Sequence, residues 1–107
     1  MREYTAREAY EAWRAGDVAI IDVREEPEHV LTRVDGVPLV PMSEIEERLD
    51  ELPSERPIVF MCRSGARSRR VAEFLNDVGG RPEAANLEGG IIGWAADGLP
   101  YEGDPPR

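Results

Sequence analysis

The sequence predicts an α/β domain built on a central, mostly parallel sheet with helices on both faces. Two observations carry this expectation. Short β-branched runs, DVAIIDVR and PIVFM, alternate along the chain with segments whose apolar residues recur at helical spacing. The helix starts are marked by T-x-x-E and S-x-x-E signatures, and glycine or proline punctuates the breaks. Strands that alternate with helices require crossover connections and hence a parallel sheet. At 107 residues the chain is one domain.

Each element has its own warrant. Thr5 and Glu8 form a capping box, Ala6, Ala9, Tyr10 and Trp13 follow on one face, and Gly16 supplies the stop. DVAIIDVR then reads as a buried strand ending in Asp22, Val23 and Arg24. EEPEHVLTRVDG is an irregular or short helical connection with Pro27 near its start, and VPLVP is a short strand between prolines. Ser43 and Glu46 make a second capping box ahead of Ile45, Leu49 and Leu52. PSERP breaks that helix, and PIVFM is the most strand-like run in the chain. After CRSGA, the residues Val71, Ala72, Leu75 and Val78 share a helical face that ends at Gly79-Gly80. A weak strand over 84–87 leads to a glycine turn and a short helix carrying Trp94. Trp94, Trp13 and Tyr10 are expected in the core, and residues 102–107 as a flexible tail on a domain spanning 1–107.

Composition narrows the function. The net charge of −9 disfavours nucleic acid or an anionic membrane as a partner, and no run approaches the ~18 apolar residues of a membrane span. The N-terminus is charged and amphipathic, unlike a secretory leader, and the single cysteine, Cys62, makes no internal disulfide. Cytoplasmic location is the expectation.

Cys62 stands at the end of the PIVFM strand, with Arg63, Arg67, Arg69 and Arg70 in the next eight positions. Carboxyl ends of parallel strands are where such sheets bind ligands. A strand–loop–helix turn can curl the amides of Ser64, Gly65, Ala66 and Arg67 around the sulfur, and the helix N-terminus adds positive potential. Flanking arginines favour the same anion, so the thiol is expected below its free value of ~8.5 and nucleophilic. The bland alternative is a buried structural cysteine. His29, the only histidine, lies in another connection and is read as a bystander; Arg69 and Arg70 are expected to face solvent.

CRSGARS, Cys62 to Ser68, resembles the active loop of the single-domain rhodanese-like, thiosulfate-type sulfurtransferases. IDVRE, DGVPLVPMSEI and NLEGGIIGW match further family segments in order, although Thr32, Arg33 and Val34 stand where G-H-I is common. The resemblance implies a three-layer fold with a five-stranded sheet. It implies sulfur transfer through a Cys62 persulfide from a small anionic donor to an external thiol or dithiol, or to a small redox or sulfur-carrier protein, without cofactor or metal. Arg63 and Arg67 are the expected donor-binding arginines, with Ser64, Gly65, Ala66 and Ser68 completing the cradle. Asp22 and Arg24 are expected to brace the site. A persulfide carrier is the alternative. A cysteine phosphatase or arsenate reductase is disfavoured, because Arg67 makes C-x4-R and the C-x5-R position is Ser68.

Overall fold

The computed structural model describes residues 1–107. In chain order the elements are β1 (Glu3–Tyr4), α1 (Ala6–Arg14), β2 (Ala19–Asp22), α2 (Glu26–Leu31) and β3 (Thr32–Arg33). A 3-10 segment (Met42–Glu51) follows, then β4 (Ile58–Met61), α3 (Ala66–Asp77), β5 (Ala85–Leu87), α4 (Gly90–Ala96) and β6 (Glu102–Gly103). The main sheet has the order β1-β5-β4-β2, all parallel.

Parity along the strands decides which side each residue serves. In β4, Val59 and Met61 pack with Ala9, Ile91 and Trp94 on the α1/α4 face. Ile58, Phe60 and Cys62 pack with Val71, Ala72 and Leu75 on the α3 face. Cys62 is thereby turned toward the helix that follows it. On the opposite face Trp94 is fully buried, donates from Nε1 to the Pro100 carbonyl at 2.7 Å and packs edge-on against Tyr10 and Trp13.

Several expectations are corrected. The fifth strand is a single bridge: Leu39 pairs beside Asp22, because Pro38 and Pro41 cannot donate to a ladder. A strand at Glu3–Tyr4, too short to show periodicity, joins the sheet at its other edge. The Ser43 capping box does not form. Ser43 Oγ instead donates to Glu25 Oε1 at 2.8 Å, and the segment winds as a 3-10 helix capped by Pro41. Val78 lies at the C-cap of α3 and is 72% exposed.

The expected flexible tail is also paired. Glu102–Gly103 runs antiparallel to Thr32–Arg33, and Thr32 Oγ1 donates to the Asp104 carbonyl at 2.6 Å. Two adjacent residues at each strand were too few to read from the sequence.

Candidate active site

The Cys62 side chain closes β4 and is 1% exposed. Burial pushes its thiol up. The Ser68 hydroxyl, 3.3 Å away and able to donate to the thiolate only by leaving its shorter bond to Asn86, and the amides of Ser68, Gly65 and Ser64 outweigh that and draw it below the ordinary thiol value. The Gly65 N–H points at Sγ from 3.1 Å. Ala66 and Arg67, like Ser68, lie in the first turn of α3, which begins directly after Gly65. The largest acidifying groups are the Ser68 hydroxyl and the amides, and the Arg67 charge also attracts the thiolate.

Two glycines make this loop geometry possible. Gly65 caps α3 at φ 106°, where a side chain is strained, and a Cβ there would sit 3.3 Å from the Gly89 amide. Gly90 lets α4 approach the loop from below. Its Cβ would fall 2.4 Å from the Arg63 carbonyl oxygen, while Ile91 N–H donates to the Cys62 carbonyl at 2.9 Å. With the carbonyls of Cys62 and Arg63 anchored on α4, the following amides turn toward the sulfur.

The arginines are distributed differently from the sequence reading. Arg67 forms a two-pronged pair with Glu28 of α2, at 2.7 and 2.8 Å. The Arg67 guanidinium holds the Glu28 carboxyl down at about 2, and that carboxylate in turn raises Arg67. Arg69 is exposed, as expected, and also pairs with Glu3 at 2.6 Å. Arg63 is exposed and its Nε donates to a main-chain oxygen of Arg107. Arg70 is exposed. Two carboxylates from distant segments therefore reduce the positive field that four clustered arginines suggest.

Asp22 and Arg24 are a buried pair at 2.8 Å. Arg24 also donates to the carbonyls of Thr32 at 2.5 Å and Glu28 at 3.4 Å, tying α2 to the end of β2. Through α2 the pair positions Glu28 opposite Arg67. His29 makes no hydrogen bond to Cys62.

Sequence reasoning missed Asn86. It is 1% exposed on β5, and its side chain links Ser68, Gly65 and Glu3 behind the sulfur. Its presence inside NLEGG was the available signal. On the Arg63 side of the loop a cleft of about 300 Å³ is lined by Glu28, Leu31, Arg63, Ile91, Asp104 and Pro105 among others, and Cys62 itself is not part of its lining. A comparable cleft of about 290 Å³ lies at the opposite end of β4, around Ser54, Arg56 and Arg81, away from the cysteine.

A family model, the Rhodanese-like domain, matches residues 5–97. The chain belongs to the rhodanese-like family. It is 41% identical over 85 residues to a sulfurtransferase of Allochromatium vinosum, covering 78% of each chain. It is 40% identical over 80 residues to a probable adenylyltransferase/sulfurtransferase, MoeZ, of Mycobacterium tuberculosis, covering 73% of this chain and 20% of that one. A rhodanese-related protein of Thermoplasma volcanium superposes with a TM-score of 0.85 at 28% identity, covering 97% of this chain and all of the other. Membership supports a sulfurtransferase activity for this rhodanese-like chain.

Proposed function

We propose that this rhodanese-like domain moves a sulfane sulfur from thiosulfate, or a related anionic donor, to a thiophilic acceptor through a persulfide on Cys62. The observation that carries the reading is the cradle itself: a buried sulfur at a strand end, faced by the Ser64, Gly65 and Ser68 amides, with its thiol drawn down despite burial.

In the first half-reaction the Cys62 thiolate attacks the outer sulfur of thiosulfate. A Cys62–sulfur bond forms as the sulfur–sulfur bond of the donor breaks, and sulfite leaves with the electron pair. The amides then face a charged persulfide, which favours its retention. In the second, cyanide or an external thiolate attacks the outer sulfur and the electron pair returns to Cys62. This is covalent, ping-pong catalysis. The chain holds no second cysteine, so the acceptor is external. Arg63, which lines the cleft beside the loop, is the donor-binding arginine; Arg67 serves only if the donor displaces Glu28.

One observation favours a second reading, a persulfide carrier that receives sulfur from another protein. Glu28 already occupies the Arg67 guanidinium, which weakens the pull on a free dianion, and the likeness to MoeZ points the same way. A phosphatase is disfavoured by the same pair. Arg67 is turned to Glu28 and would have to leave it to enclose a phosphate.

Steady-state turnover with thiosulfate and cyanide tests the reading. Thiocyanate formation with parallel double-reciprocal lines supports it. A KM for thiosulfate far above millimolar, with rapid loading from a protein persulfide, would move the assignment to the carrier.

A further inference from the structure

Asn86 donates from Nδ2 to Glu3 Oε1 at 2.8 Å and to the Gly65 carbonyl at 3.2 Å. Both oxygens can only accept, so the orientation of the amide is forced. Oδ1 must be the atom that faces Ser68 Oγ, at 2.6 Å, and it has no proton to give. Ser68 therefore donates to Asn86. A hydroxyl has one proton, and the same Oγ lies 3.3 Å from Cys62 Sγ. The oxygen turns a lone pair, rather than its proton, toward the sulfur.

We propose that Asn86 is a positioning residue that competes with Cys62 for the only proton of Ser68 and so limits how far that hydroxyl stabilises the thiolate. This rests on Cys62 being the attacking atom. If Ser68 swings to the thiolate, it gains a charge-assisted bond and leaves a buried amide oxygen without a donor. The two effects are of the same order, so they largely cancel. Because thiolate nucleophilicity falls with basicity, an unopposed Ser68 would give more thiolate that reacts more slowly.

The charged groups around the sulfur come from several elements. Asp22 and Arg24 lie at the end of β2, Glu28 on α2 and Arg67 on α3. Glu3 pairs with Arg69 beyond Asn86, and Arg63 lies in the loop. Carboxylates and guanidinium groups as classes ionise far from thiols. The one imidazole, His29, is removed by a His29→Gln control, which should leave the profile unchanged.

The experiment is the pH dependence of Cys62 alkylation by iodoacetamide, followed by intact mass, in the wild type, Ser68→Ala, Asn86→Ala and the double variant. Ser68→Ala should change the thiolate fraction at a fixed pH below the midpoint by less than about twofold. Asn86→Ala should raise that fraction roughly tenfold and lower the plateau rate several-fold. In the Ser68→Ala background, Asn86→Ala should shift nothing. A roughly tenfold fall in Ser68→Ala would overturn the proposal, because Ser68 would then serve Cys62 outright. An Asn86→Ala shift of equal size with and without Ser68 would also overturn it. Ser68→Ala decides the matter alone if Asn86→Ala does not fold. Alkylation needs no sulfur donor, so a protein inactive with every donor still gives this profile.

Discussion

The two sides of Cys62 are built from different chemistry. Behind the sulfur lies a buried neutral chain, Ser68 to Asn86, that reaches a carboxylate only at Glu3. In front lie charges: the exposed Arg63, and the Arg67–Glu28 pair with each side chain about a third exposed. The difference assigns the tasks. Neutral dipoles in a dry setting set the ionisation of the nucleophile, and solvated charges set which donor approaches it. Changes behind should move pH profiles, while changes in front should move KM.

The largest expected effect falls on the frame common to both sides. Asp22→Ala leaves Arg24 buried without its carboxylate, and breaking one partner of a buried pair costs about 3–5 kcal/mol. Urea denaturation should show a loss of that order. A loss under about 1 kcal/mol would mean that Arg24 is held by the Thr32 and Glu28 carbonyls alone.

Next comes the loop support. Gly90→Ala places a Cβ inside the Arg63 carbonyl at a backbone φ of 58°. The loop must shift, and turnover should fall by at least tenfold while Gly16→Ala, with open space around it, costs only its strained φ. Equal effects of the two on turnover would detach loop geometry from α4.

In front, Glu28→Gln frees Arg67. The KM for thiosulfate should fall several-fold at low salt, and the gain should shrink as salt is added. The alkylation profile of Cys62 should not move. If the profile moves and KM does not, the division between back and front is wrong.

The smallest effect is on acid stability. The Glu28 carboxyl is lowered from 4.5 to about 2, so its contribution is fully present above 4.5 and is lost as the pH falls toward about 2. Exposure keeps that contribution modest. Stability curves of the wild type and Glu28→Gln should converge across that window, and parallel curves would remove Glu28 as the cause.

How much of this was legible follows from range. The strand PIVFM, the loop and the helix after it are contiguous, so local pattern and turn chemistry showed them, including the approach of the helix N-terminus to Cys62. The partners of the loop are not local. Glu28 lies 39 residues from Arg67, and Glu3 lies 83 from Asn86. No periodicity reports such pairs, so the partner of each arginine stayed unassigned and Asn86 read as part of a weak strand. The short strands β1, β3 and β6 were hidden for a different reason. Two residues show no alternation, and only pairing with β5 or with each other defines them.

The roles of both sides depend on Cys62 Sγ being the atom that carries sulfur. Intact mass after treatment with thiosulfate, then with cyanide, examines that dependence. The wild type should gain one sulfur atom and lose it again on cyanide addition as thiocyanate appears, with neither event in Cys62→Ser. Sulfur loading or thiocyanate turnover that survives in Cys62→Ser would take that role away from Cys62.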